Sequence, residues 1–438
     1  MIDKFIFWGL IFLVAFTPLA FGTTEPWSIA VMQLASLLLL VLFGVKTFRE
    51  ERLRLQSPVL LSLFALFVLF TLAQSVSLFT RDLNFSSVDL KVSTLSLYPH
   101  ATLNAWLKLF AYFIIFFVVS HYFASGAPAG RPRLARFVDF LIFFSFGLSL
   151  FAIVQHLAFN GKLYWLRELS QGGSPFGPFV NRNHYAGYME LTVPLALGLI
   201  LGKGISVERR ALYVFMSVVM SASLFLSASR AGVGSFLCQL LFLVFLLRLA
   251  RGRKLLSFSN LLIVILVLCL ASLTLFWLGA DAFVDRIYAL SNHAAEHGHY
   301  GRLSVWSDTL RIARDFPVAG TGLGTFPFLY PIYKSESTDI KYLEAHNDYL
   351  QIFSETGIIG AGLLLVFGIL ALATALRLVR RAGHRSLTAI RMGALTGCFG
   401  LLVHSVTDFN LQIPSNALLF FVLSAIATGD PGNSKPLE

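Results

Sequence analysis

Apolar residues in this chain neither alternate at the period of a strand nor keep to one stripe of a half-buried helix. They run on in uninterrupted stretches from Phe5 to Gly429, separated by short polar segments. Each stretch is about 18 to 22 residues long, enough to cross a hydrocarbon core of about 30 Å as a helix. The pattern predicts an all-α polytopic membrane protein of about twelve transmembrane helices, at 5–22, 27–46, 58–79, 102–123, 137–158, 185–202, 211–227, 231–248, 259–280, 357–377, 388–407 and 414–429.

Composition agrees: 56% of residues are hydrophobic and 13% charged, about half the charged share of a soluble domain. The net charge of +11 points to nucleic acid only if the cations share a face, and here they sit in alternate connections. Arg49, Arg52 and Arg54 follow the second stretch, Arg131, Arg133 and Arg136 the fourth, and Lys203, Arg209 and Arg210 the sixth. Arg251, Arg253 and Lys254 follow the eighth, and Arg380, Arg381 and Arg385 the tenth. Basic short loops stay in the cytoplasm, so both termini are expected inside and the odd-numbered connections outside. The first stretch lacks a small-residue cleavage site and reads as a retained helix rather than a signal peptide. Cys238, Cys269 and Cys398 fall inside predicted spans at no metal-binding spacing and read as buried thiols.

The expected organisation is spans one to nine over 1–280, an extracytoplasmic loop over 281–356, spans ten to twelve over 357–429 and a cytoplasmic tail over 430–438. Two more outside segments are long, a Ser-rich excursion over 80–101 and another over 159–184. In the large loop, Leu303, Trp306, Leu310 and Ala313 recur at helical spacing, with Arg302, Asp308, Arg311 and Arg314 on other faces. This predicts an amphipathic helix on or near the membrane surface. Pro317 and the Gly320, Gly322, Gly324 run end it in a turn.

Chemistry-bearing residues gather at the outer ends of the spans. Arg182, Asn183 and His184 open span six, where they could hold a polar headgroup or simply meet water. Arg230, in the turn after span seven, breaks the charge asymmetry of the other short outside loops. A guanidinium there suits phosphate oxygens or a lipid headgroup. Arg302 opens the amphipathic helix, whose N-terminus already favours an anion, although a solvated surface cation fits equally. His346 precedes span ten beside Glu344, Asn347 and Asp348. Its imidazole could take a proton from a sugar hydroxyl or merely pack at the start of the helix. His293-Ala294-Ala295-Glu296-His297 matches an inverted zincin pattern, but its Ala-, His- and Gly-rich setting announces neither a third ligand nor a cleft, and no metal site is expected.

In order, Asn181-Arg182-Asn183-His184-Tyr185-Ala186-Gly187, Ser229-Arg230-Ala231-Gly232, Arg302-Leu303-Ser304-Val305-Trp306, Gly320-Thr321-Gly322-Leu323-Gly324 and Ala345-His346-Asn347-Asp348-Tyr349-Leu350-Gln351 resemble the O-antigen ligase and polymerase superfamily, as does His404-Ser405-Val406-Thr407-Asp408-Phe409-Asn410. The resemblance implies a glycosyltransferase of the bacterial inner membrane that needs no metal or other cofactor. It would move glycan from undecaprenyl pyrophosphate to an acceptor hydroxyl on the periplasmic face, with inversion. It also implies His346 as the catalytic residue, Arg230, Arg302 and Arg182 as ligands of the donor pyrophosphate, and Asn347, Asp348, Asn183 and His184 as supporting residues. The implied acceptors are lipid A-core, a growing glycan or an exopolysaccharide. A protein O-oligosaccharyltransferase of the same superfamily is the alternative. From a different class, a polysaccharide transporter or flippase would fit the span count, but its polar groups belong near the midplane rather than at the outer ends.

Overall fold

The computed structural model describes residues 1–50, 55–85, 88–124, 130–169, 173–202, 205–251, 269, 299–335, 341–381 and 385–429. Long helices dominate: α1 (Ile2–Leu19), α2 (Pro26–Glu50), α3 (Pro58–Gln74), α4 (Pro99–Ala124), α5 (Gly130–Leu157), α6 (Arg182–Gly202), α7 (Val207–Leu226) and α8 (Arg230–Arg251). After them come α9 (His299–Asp315), α10 (Phe326–Tyr333), α11 (Asp348–Arg380), α12 (Arg385–His404) and α13 (Pro414–Thr428). Among the described residues nine helices are long and apolar enough to cross a membrane, with α3 and α13 as shorter apolar helices. These cover eleven of the expected spans. The span expected at 259–280, Cys269 apart, and the His293–His297 motif lie outside the described residues, as does the loop over 281–298.

The all-α expectation needs one correction. An antiparallel hairpin, β1 (Ser77–Phe85) on β2 (Val88–Thr94), occupies much of the excursion over 80–101. Its second strand carries Val88, Leu90 and Val92 at the two-residue period that favours a strand, a signal that the serines flanking it obscure.

Helix α6 is the centre of the bundle and is buried on every side from His184 to Leu201. It packs most extensively on α12 and also against α7 and α8, while α13 joins α12 to α4, and α11 leans on α3. The α6–α12 approach is close because it is made by small residues. A methyl group on Gly198 would meet the Ala389 carbonyl at 2.5 Å, and one on Gly397 the Leu191 carbonyl at 2.6 Å. Membrane helices lack a strong hydrophobic drive to associate, so such intimate packing is what holds them together.

Charge separates the two ends of the bundle. At the end carrying Met1, Lys46 pairs with Asp3 at 2.7 Å and Arg133 with the same carboxylate at 3.3 Å, while Arg209 pairs with Asp139. The other end holds the starts of α6, α8 and α11 and the large loop. That loop is anchored on α3 and α4: Gln74 donates to the carbonyls of Ala319 and Glu355, and the Leu97 N–H donates to the Thr321 carbonyl at 2.8 Å.

Candidate active site

The segment before α11 turns sharply at His346, whose φ of 52° is left-handed. A side chain there carries a cost of order 1–3 kcal/mol unless its surroundings fix it. Three contacts do so. The Ala345 N–H donates to Gln351 Oε1 at 2.8 Å, Asn347 caps α11 by accepting the Leu350 N–H at 3.0 Å, and Trp306 of α9 donates its indole N–H to the His346 carbonyl at 3.3 Å. Trp306 lies one helical turn after the half-buried Arg302, so the two share a face of α9.

The imidazole meets a carboxylate from a distant part of the chain. His346 Nδ1 stands 3.8 Å from Oδ1 of Asp408, an ion-pair distance, and Asp408 is wholly buried in the turn between α12 and α13. Asn183, at the start of α6, donates its amide to the other carboxylate oxygen, and the Phe409 N–H donates to Oδ1 at 2.9 Å. Burial alone would raise the Asp408 carboxyl, but the facing His346 and the nearby His184 and His404 outweigh it and hold it well below the usual carboxylate range. Phe409 wedges between two imidazoles, with its ring centroid 4.8 Å from both His184 and His346.

The start of α6 is fixed to this turn. Asn416 donates to the His184 carbonyl at 2.9 Å and to Asn410 Oδ1 at 3.0 Å. Gly187 lets that amide approach, since a methyl group there would fall 2.3 Å from Asn410 Oδ1. The exposed Arg230 is the first residue of α8. It is brought alongside α6 by Gly232, where a methyl group would lie 2.7 Å from that of Ala186. Arg182 is half-buried at the first position of α6, its N–H bonded to the Ser174 carbonyl at 2.7 Å. Arg182, Asn183, His184, Arg230, Arg302, His346, Asn347 and Asp348 therefore all lie at one end of the bundle, with Asn183 and His346 converging on Asp408.

Sequence neighbours of His346 do other work. The Asp348 carboxylate accepts the Leu411 N–H at 3.0 Å, tying α11 to the turn before α13. Glu344 is bonded by Gln351, and burial raises its carboxyl above the ordinary range. The residue missed in the sequence is Asp408. Its signals there are a carboxylate just past a span end, in an outside connection without Lys or Arg, and its place in the His404–Asn410 stretch that resembles the family.

The glycine run of the large loop is a turn built around Glu355. The N–H groups of Gly324 and Phe326 donate to its carboxylate at 2.8 and 3.0 Å, and the Gly322 N–H to its carbonyl at 2.9 Å. A protein carboxylate thus fills the N-terminus of α10. Helix α9 turns Val305, Asp308, Thr309, Ile312 and Ala313 inward. Asp308 is buried because it gathers the Tyr330 hydroxyl at 3.3 Å, the Ser335 N–H at 3.0 Å and Arg311. Leu303 and Leu310 are instead exposed, as are Phe328 and Ile332 of α10.

Histidine, carboxylate and arginines thus gather at one mouth of a bundle of membrane-length helices, and a family comparison covers part of that bundle. Residues 215–365 match the family model described as O-antigen ligase, which agrees with the resemblance carried by the motifs. Arg230, Arg302 and His346 fall inside the match, whereas Arg182, Asn183, His184 and Asp408 lie outside it. The match covers 151 of the 438 residues, about a third of the chain, and makes that stretch similar to the O-antigen ligase family. No curated protein matches the chain.

Proposed function

We propose that the protein is a metal-independent inverting glycosyltransferase of the bacterial inner membrane. It moves glycan from undecaprenyl pyrophosphate to an acceptor hydroxyl at the periplasmic face, as an O-antigen ligase or as a polymerase of O-antigen or exopolysaccharide. The observation that carries the reading is the setting of His346, its Nδ1 turned to buried Asp408 and its backbone gripped by the helix of Arg302.

A quarter of the His346 side chain remains exposed, which leaves Nε2 for the acceptor. Nε2 takes the hydroxyl proton as the oxygen attacks the anomeric carbon from the face opposite the leaving group. The bond from that carbon to the pyrophosphate oxygen breaks, and undecaprenyl pyrophosphate departs with the electron pair. Asp408, held ionised, stabilises the imidazolium that forms. Arg230 and Arg302, joined by Arg182, meet the charge developing on the pyrophosphate, as a metal ion does elsewhere. The exposed Leu303, Leu310, Phe328 and Ile332 give α9 and α10 an apolar side suited to a membrane surface and a polyprenyl tail. The basic end of the bundle supports the cytoplasmic placement of both termini.

The test is transfer of labelled glycan from undecaprenyl pyrophosphate in proteoliposomes with EDTA present. Native protein is expected to turn over and His346→Ala and Arg230→Ala to fail, with all three equally folded. Undiminished turnover by His346→Ala would remove it as the base. Product analysis separates lipid A-core, glycan and protein acceptors.

A further inference from the structure

Below the site, the interior of the bundle holds a second titratable pair that the mechanism does not use. Glu190 of α6 and His404, the last residue of α12, are both fully buried, with His404 Nδ1 2.9 Å from Glu190 Oε1. Among the described residues His404 Nε2 has no hydrogen-bond partner. An acid and a base buried together inside a membrane bundle are costly there and mark a candidate functional pair.

The pair is joined to the site by the chain itself. The Thr407 N–H donates to the His404 carbonyl at 3.0 Å and the Asp348 N–H to the Ser405 carbonyl at 3.0 Å, so the turn carrying Asp408 and Phe409 starts from His404. On the other side Glu190 lies two turns along α6 from Asn183, which bonds Asp408. The titratable groups facing this turn are His184 and Glu190 from α6, Asp348 from α11, Glu344 and His346 from the segment before α11, and Asp408 from the turn itself. From α8 the neighbour is Gln239, whose amide donates to the Glu190 carbonyl at 2.8 Å. His404 has a carboxylate against its Nδ1, is followed by the turn that holds Asp408, and ends a helix at the C-terminus, where the dipole is negative.

We propose that Glu190 and His404 form a buried imidazolium–carboxylate pair whose positive end faces Asp408, making both positioning residues that set the pH at which His346 accepts a proton. The consequence for turnover rests on the proposed role of His346 as base; the titration itself does not. A positive end near Asp408 offsets part of the attraction that this carboxylate exerts on a proton at His346. When one partner is replaced, the other cannot stay charged alone in the interior and neutralises. Glu190→Gln, His404→Gln and the double variant therefore remove the same dipole and shift His346 alike, whereas Asp408→Asn shifts it oppositely.

The experiment is a pH titration of histidine-labelled protein in lipid nanodiscs, followed by NMR, with His346 and His404 assigned by loss of their signals in single variants. In native protein His404 is expected to stay an imidazolium across the pH range in which His346 titrates; a neutral His404 overturns the proposal without any variant having to fold. In Glu190→Gln and His404→Gln the His346 midpoint is expected to rise by about half a pH unit or more, with no further rise in the double variant. A midpoint unmoved in variants of native melting temperature makes the pair a packing contact and overturns the proposal. Glycan transfer assayed on the same samples reports separately on the proposed function: absence of transfer by native protein refutes that function and leaves the titration result standing.

Discussion

The acids at the end carrying Met1 and the acids that frame the site at the other end are held in different ways. At the end carrying Met1, acids meet cations directly, Asp3 with Lys46 and Arg133 and Asp139 with Arg209, and these pairs reach the surface. At the other end Asp408 is bonded by an asparagine amide and a backbone N–H, Asp348 by the Leu411 N–H, and Glu355 by the N–H groups of Gly324 and Phe326. Backbone donors cannot leave and cannot be screened, so these acids are fixed without drawing on arginine. Elsewhere at that end acids do meet arginines, Glu25 with Arg167 and Asp308 with Arg311, so the contrast lies between the Met1 end and the acids that frame the site.

The contrast breaks hardest at His346. Replacing it with Ala is expected to lower transfer by about a hundredfold to ten-thousandfold, the usual range for a positioned base, while the melting temperature stays near native. Arg230→Ala and Arg302→Ala should each lower turnover by about a hundredfold or more. Lys should restore only part, because an ammonium lacks the two-pronged fork; full rescue by Lys would leave plain charge as the explanation.

Asp408→Asn is expected to slow transfer by about tenfold to a hundredfold. The stability side has a definite sign. The folded Asp408 carboxyl is depressed, so its contribution is complete above the unfolded value of about 3.9 and fades as pH falls through the lower folded value. Unfolding of the native protein and Asp408→Asn at pH 7 and pH 5 should show the same difference, and a gap that closes between them would contradict an ionised Asp408.

Glu355→Ala strips the acceptor from two N–H groups and is expected to cost about 1–3 kcal/mol, read as a lower melting temperature. At the opposite end Asp139→Asn should cost about 1 kcal/mol or less, because the Arg209 it meets is exposed to solvent screening, with transfer untouched.

The helices were legible because continuous apolar runs permit little else in a membrane, and the convergence of Arg182, Asn183 and His346 at one end followed from which span ends carry them. Asp408 was not legible as the partner of His346. Asp348 and Glu344 are far nearer in sequence, but the first turn of α11 aims Asp348 at the backbone of Leu411, while the α12–α13 turn brings Asp408 back across the bundle. The inner face of α9 was not legible either. Helical spacing identifies the apolar stripe Leu303–Leu310 but not whether protein or surroundings cover it, and the buried Asp308 has its partners on α10 and just beyond it.

Helix α11 has a break within it. Gly357 sits at φ 60° and ψ −164°, and the strand-like bonds Thr321 N–H to Ser354, Gly322 N–H to Glu355 and Ile358 N–H to Pro317 pin the chain on both sides of it. The stretch beyond Gly357 is about 35 Å of helix, a little longer than a typical hydrocarbon core. In a thinner bilayer such a helix relieves its mismatch by tilting. Because the loop holds the short piece from Asp348 to Thr356, the tilt is taken up at Gly357, and the site keeps its geometry as the membrane around it changes thickness.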